Sequence, residues 1–135
     1  MNLGLQRKTD LALRALRSLG VPGVRISGAA LSSSIGTTAS FLPQVVAPLI
    51  EKGWVTSDRG PGGGYSLSEA SGGVSLFDVV EAVEGPSLNG RCVMRDQPCP
   101  GVHGCEAHAV WVEARGVVID GLRGVPAIPT GGEER

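Results

Sequence analysis

Apolar residues recur at three- and four-residue spacing through the first 50 positions, which predicts three amphipathic helices. The first covers residues 7–19. A short second helix follows Ser27, a good N-cap residue, and ends at the turn around Gly36. The third begins after residues 37–40, and its buried side is expected to consist of Phe41, Leu42, Val45, Val46, Leu49 and Ile50. Two helices joined by a tight glycine turn are typical of a helix-turn-helix.

Two short β-prone segments, residues 54–57 and 65–67, flank a glycine-rich stretch and predict a hairpin. A helix-turn-helix followed by a hairpin is a winged helix. Its third helix is expected to enter the major groove of DNA, while Arg59 and the wing glycines approach phosphates or the adjacent minor groove.

A capping box formed by Ser75 and Asp78 predicts a fourth helix that ends near Gly85. A last helix, from about residue 106 to 122, carries an apolar stripe, and we expect a partner subunit to cover it. The expected dimerisation residues are Val110, Trp111, Ala114, Val117 and Val118. The predicted fold is mainly α with a small β-hairpin wing: a winged helix-turn-helix plus a long C-terminal dimerisation helix.

The predicted domain organisation has four parts. A DNA-binding domain covers residues 1–85, a cysteine-rich loop 86–105, a dimerisation helix 106–123 and a disordered tail 124–135.

Composition is that of one globular unit, with 135 residues of which 41% are hydrophobic. The net charge of −1 hides an asymmetry: residues 1–60 hold seven basic and three acidic residues, and the remainder holds five and ten. A basic first half suits contact with a polyanion. No apolar stretch is long enough for a membrane span, and the N-terminus lacks a secretory signal, so we expect a cytoplasmic protein without membrane contact.

Three cysteines, Cys92, Cys99 and Cys105, lie within one Gly/Pro-rich loop. An odd number of thiols cannot all form internal disulfides, and soft thiolates that converge can bind one metal centre. With His108 they form a complete tetrahedral set for structural zinc. A small redox carrier could use the same loop, but the chain has neither a Cys-x-x-Cys motif nor a substrate-pocket signature, so an enzyme is not expected.

Four segments together resemble a known family: residues 9–16, the wing sequence 59–65, residues 78–85 and the late cysteine trio. They are similar to the iron–sulfur winged-helix regulators typified by NsrR, IscR and RirA. The resemblance implies a homodimeric transcription factor, usually a repressor, that binds double-stranded operator DNA under control of an iron–sulfur cluster.

The resemblance also implies a fourth ligand. In NsrR-like chains an aspartate of the partner subunit's first helix fills this place, and Asp10 matches it; in IscR-like chains a histidine does so, and His108 matches it. We prefer Asp10 and a [4Fe–4S] cluster, with nitric oxide as the first candidate signal. His108, a [2Fe–2S] cluster and a regulator of cluster assembly or iron homeostasis form the alternative. Six residues separate Cys92 from Cys99, where both branches usually have five.

On the DNA side, the resemblance places Thr38, Ser40, Pro43 and Gln44 at the base-facing start of the third helix. Gln44 can form paired hydrogen bonds with adenine, while Thr38 and Ser40 suit phosphate. The expected wing contacts are Arg59, Gly60, Gly62 and Gly63.

Overall fold

The computed structural model describes residue 1 and residues 3–130. In this part of the chain the elements are, in order, α1 (Arg7–Leu19), α2 (Gly28–Ile35), α3 (Leu42–Glu51), β1 (Val55–Asp58), β2 (Gly64–Leu67), a 3-10 turn (Glu69–Ser71), α4 (Leu76–Glu84) and α5 (His108–Arg123). The strands β1 and β2 pair antiparallel, with Val55 opposite Leu67 and Asp58 opposite Gly64. These elements confirm the predicted fold class.

The hydrophobic core lies where α1 packs against α2, α3 and α4. Its fully buried side chains include Leu16, Leu19, Leu31, Ile35, Val45, Leu49 and Val79. Ordinary capping rules set the helix ends. The Ser75 hydroxyl accepts a hydrogen bond from the Asp78 N–H at 3.1 Å, and the Asp78 carboxylate accepts one from the Ser75 N–H at 2.8 Å, which confirms the predicted capping box.

Two predictions of burial are wrong. Ile50 is 37% exposed because it lies at the edge of the buried stripe of α3, beyond the reach of the core. The expected tail also differs, since residues 124–130 pack back onto the domain: Ala127 is fully buried, and its N–H donates to the carbonyl of Val74 at 2.9 Å. The rest of that expected tail, residues 131–135, lies outside the described residues.

The helix α5 begins at His108, two residues later than predicted. Ile119 is its one buried residue, while Val110, Val117 and Val118 are 62%, 70% and 56% exposed. Among the described residues, no helix has the length and apolar character needed to cross a lipid bilayer.

Candidate metal centre and DNA-binding surface

The cysteine loop is folded by its own main chain between α4 and α5. The Cys92 N–H donates to the carbonyl of Gln97 at 2.9 Å, and the Cys99 N–H donates to Gly90 at 2.8 Å. Further along, the Cys105 N–H donates to Gly101 at 3.0 Å. These turns bring together three cysteines that are separated in sequence by six and by five residues.

The three sulfur atoms form one compact group, with all Sγ atoms within 4.8 Å of one another. The Sγ atoms of Cys92 and Cys105 are 3.6 Å apart, and the Nδ1 atom of His108 lies 3.2 Å from the Sγ atom of Cys99. Cys105 is buried, whereas Cys92 and Cys99 are partly exposed. The predicted convergence of the cysteines is therefore present within a single chain. His108 lies outside this compact group and contacts it through Cys99.

Local electrostatics favour the thiolate at one of these positions. The main-chain N–H of Met94 donates a hydrogen bond to the Cys92 sulfur, and this is the main cause that lowers the pKa of Cys92 from 9.0 to about 7. The main-chain N–H of Arg95 lowers it further. Burial, in contrast, raises the pKa of Cys105. Because the thiolate is the form that binds metals, Cys92 offers a ligand near neutral pH.

The donor set fits a soft metal centre. Two thiolates on one tetrahedral ion at a metal–sulfur distance of about 2.3 Å lie about 3.8 Å apart, close to the 3.6 Å between Cys92 and Cys105. The second close pair, Cys99 and His108, combines a thiolate with an imidazole, which is a ligand combination that both zinc and iron–sulfur centres accept.

The other candidate ligand, Asp10, lies on α1 and is about half exposed. Its Oδ2 atom is 3.0 Å from Nε of Arg14 and 3.8 Å from an Nη atom of Arg7. Within one chain it is not a member of the cysteine group, so a role as ligand requires a partner subunit.

The start of α3 presents its predicted DNA-binding residues to the surface, since Thr38, Ser40, Pro43 and Gln44 are all exposed. Thr38 has a structural task as well: its hydroxyl accepts a hydrogen bond from the Phe41 N–H at 3.1 Å and lies 3.1 Å from the Ser40 hydroxyl. Pro43 occupies the first turn of α3, where its missing N–H costs no helical hydrogen bond.

The wing tip depends on glycine because the main chain passes close to itself. A Cβ atom on Gly63 would lie 2.4 Å from the carbonyl oxygen of Asp58, and one on Gly64 would lie 2.3 Å from that of Ile26. Arg59, Gly60 and Gly62 are exposed at the tip. A cleft of about 720 Å³ separates this tip from α3, lined among others by Pro43, Ala47 and Arg59.

Two residues make long-range contacts that the sequence does not predict. Arg25 lies before α2 and contacts the wing tip through both Asp58 and Gly62. Glu84, at the end of α4, accepts hydrogen bonds from the N–H of Gln6 at 3.1 Å and from the hydroxyl of Thr9. Neither contact has a local sequence signal, because each joins segments that are far apart in the chain.

Residues 5–126 match the model of the Rrf2 family, described as an iron-dependent transcriptional regulator. One similar protein, ORF2 of Azotobacter vinelandii, bears the name of an HTH-type transcriptional regulator. It is 33% identical over 116 residues, which cover 86% of this chain and 66% of that protein. The HTH-type transcriptional regulator IscR of Enterobacter sp. (strain 638) is 36% identical over 81 residues, covering 60% of this chain and 49% of the relative. The chain therefore spans about half to two thirds of the length of these curated relatives.

Among solved structures, CymR of Staphylococcus aureus superposes with a TM-score of 0.68 at 25% identity, covering 90% of this chain and 93% of CymR. The likeness extends over the helices, the wing and the C-terminal region together, since it covers nine tenths of both chains.

Proposed function

Because the chain belongs to the Rrf2 family of iron-dependent transcriptional regulators, we propose that it is a homodimeric repressor whose affinity for operator DNA depends on an iron–sulfur cluster. Members of this family are transcription regulators rather than enzymes. The observation that carries the proposal is the convergence of Cys92, Cys99 and Cys105 within 4.8 Å in a chain that also has a winged helix.

The close pairs in the loop support a particular ligand arrangement. Cys92 with Cys105, and Cys99 with His108, make two close pairs at 3.6 Å and 3.2 Å, and these four residues would hold a [2Fe–2S] centre, which needs four protein ligands. We therefore propose His108 as the fourth ligand and [2Fe–2S] as the cluster, in place of the sequence-based preference for Asp10 and [4Fe–4S]. When bound, such a cluster would supply a centre that changes oxidation state and that oxidants can destroy. Zinc does not change oxidation state.

Asp10 of the partner subunit stands as the alternative ligand. Its ion pairs with Arg14 and Arg7 are both made by Oδ2, so iron would compete with two cations for this carboxylate. Nitric oxide as the signal goes with the Asp10 alternative, because that ligand belongs to the NsrR-like branch of the resemblance.

Contacts around the cysteine loop offer a route by which metal binding there could change DNA binding. Glu81 holds the start of the loop through the Ser87 N–H at 2.7 Å, and neighbouring Glu84 holds the N-terminal end of α1. When the cysteines and His108 are tied together, the loop between α4 and α5 has one conformation. Their release would let the loop relax, and a shift at Glu84 would pass to α1 through the contacts of Glu84 with Gln6 and Thr9.

Dimerisation would cover the apolar face of α5. A groove of about 470 Å³ runs between this helix, α4 and the N-terminus, lined among others by Leu3, Leu5, Phe77, Val110 and Val118. A second copy of this helix would bury these side chains and would place two α3 helices against successive major grooves.

The test is an anaerobic purification with an absorption spectrum and with iron, sulfide and zinc measured on one sample. Equal iron and sulfide at two per chain would support the [2Fe–2S] proposal, and about four per chain would return the preference to [4Fe–4S]. One zinc per chain after attempted reconstitution would refute the iron–sulfur switch. Selection of duplexes from a randomised library, with and without the cluster, tests operator control; equal affinity in both states would refute it.

A further inference from the structure

One arginine outside the wing holds both sides of its tip. An Nη atom of Arg25 lies 2.8 Å from Oδ2 of Asp58, the last residue of β1, and its other Nη atom donates a hydrogen bond to the carbonyl of Gly62 at 2.9 Å. The main chain next to it strengthens the contact, because Ile26 and Tyr65 exchange two N–H···O hydrogen bonds of 2.8 Å each. Arg25 thus joins the segment before α2 to the turn that carries Arg59.

This contact matters because the tip is rich in glycine. Glycine loses more conformational entropy than other residues when it is ordered, so a glycine-rich turn needs external restraints to keep one shape. The planar guanidinium is well suited to this task, since it donates to two acceptors in fixed directions. The ion pair is half exposed and adds little to the stability of the fold by itself, so its effect should be seen in the conformation of the wing.

The charge of Asp58 gives a second reason why the contact with Arg25 matters for DNA binding. Asp58 is an acidic residue beside Arg59, on a surface that is expected to meet phosphates, and an unpaired carboxylate there would repel DNA. Pairing with Arg25 neutralises it. We propose that Arg25 is a positioning residue for DNA binding, which fixes the wing tip through Asp58 and Gly62 so that Arg59 reaches the DNA backbone. This proposal rests on the DNA-binding function proposed above.

Substitution of Asp58 separates positioning from simple charge. The probe is a duplex selected by the parent protein from a randomised library. Arg25→Ala should weaken binding about tenfold, and Asp58→Ala about threefold, because the broken restraint outweighs the removed negative charge. If Arg25 instead touched phosphate directly, Asp58→Ala would bind more tightly than the parent. The double variant should bind more tightly than Arg25→Ala and no more tightly than Asp58→Ala, since it lacks the restraint but no longer carries an unpaired carboxylate.

Salt dependence and wing mobility provide the remaining controls. Arg59→Ala should reduce the slope of log affinity against log salt by about one, as expected for a lost phosphate contact, and Arg25→Ala should do the same because Arg59 then no longer reaches the backbone. The double variant Arg25→Ala/Arg59→Ala should reduce the slope no further, whereas a direct phosphate contact by Arg25 would reduce it by about two. Hydrogen exchange across residues 55–67 should accelerate in Arg25→Ala and Asp58→Ala without DNA. Parent-like affinity and exchange in both variants would overturn the positioning role, while a parent that selects no duplex at all would refute the proposed function instead.

Discussion

The hydroxyl of Thr9 donates a hydrogen bond to Oε2 of Glu84, joining the first turn of α1 to the last residue of α4. Thr9 is fully buried, and the same carboxylate oxygen accepts the N–H of Gln6. A carboxylate at a helix N-terminus is favourable because it faces the unpaired N–H groups and the positive end of the helix dipole. Since Asp10 follows Thr9 and the cysteine loop follows Glu84, this hydrogen bond joins α1 to the helix that leads into the cysteine loop.

The first prediction concerns this buried hydroxyl. Thr9→Val keeps the side-chain volume but removes the donor, so the free energy of unfolding should fall by about 1–3 kcal/mol. Urea unfolding measures it. The matched control is Thr56→Val on β1, whose hydroxyl makes an exposed cross-strand contact with Ser66 and should cost less than about 0.5 kcal/mol. Equal losses in the two variants would contradict the importance of the Thr9–Glu84 bond.

The second prediction separates the two candidate fourth ligands. His108→Ala should lose most of the visible absorption and bound iron after anaerobic reconstitution, as should Cys99→Ala, while both proteins stay folded because their side chains lie outside the core. Asp10→Ala should retain the cluster. The control is His103→Ala, which removes an exposed histidine from the same loop.

The contrary result is equally informative. If Asp10→Ala loses iron and His108→Ala keeps it, the fourth ligand comes from the partner subunit. Circular dichroism on each variant checks that lost iron reflects a lost ligand and not an unfolded chain.

Local patterns made most of the fold predictable. The Ser75–Asp78 capping box, the turn at Gly36 and the hairpin each depend on neighbouring residues, so the sequence carries their signals directly. The convergence of the cysteines was equally accessible because a short flexible loop holds all three. By contrast, Arg25 meets Gly62 across 37 positions, and no local pattern reports such a contact.

The edges of buried surfaces were harder to predict. Helical periodicity identifies which side of α3 faces the core but not how far the core extends, so Ile50 was placed inside although it is partly exposed. Residues 124–130 are rich in glycine and proline and suggested disorder. Their order comes from main-chain pairing with residues 74–76, and main-chain hydrogen bonds leave no trace in side-chain composition.

The third prediction tests this returning segment. Ending the chain at Arg123 removes the bonds from the Ala127 N–H to Val74 and from the Leu76 N–H to Val125, together with the bond from Nε of Arg17 to the Ala127 carbonyl. At about 1 kcal/mol for each hydrogen bond, the free energy of unfolding should fall by about 2–4 kcal/mol. Thermal and urea unfolding measure the loss.

The control for this truncation is a chain that ends at Thr130. It keeps every one of these contacts and should unfold like the full chain. If the two shortened chains are equally stable, the packing of Ala127 against the domain contributes nothing to the fold.

The fourth prediction addresses the exposed face of α5. Val118 is 56% exposed in one chain and lines the groove beside Phe77 and Leu122, so a dimer that covers this face would bury it. Val118→Glu keeps good helix propensity but places a carboxylate in an apolar interface. We expect the dissociation constant of the dimer to rise at least about hundredfold, which is close to 3 kcal/mol, and sedimentation equilibrium measures this change.

The matched control is Val21→Glu, which introduces the same charge at a valine that is 59% exposed in the turn after α1. This variant should leave the dissociation constant of the dimer unchanged. Because two half-sites are bound only when two α3 helices are held at a fixed spacing, Val118→Glu should also weaken binding to a full operator far more than binding to one half-site. A Val118→Glu protein that remains a dimer at the parent's affinity would show that α5 does not form the interface, and the groove beside it would then need another occupant.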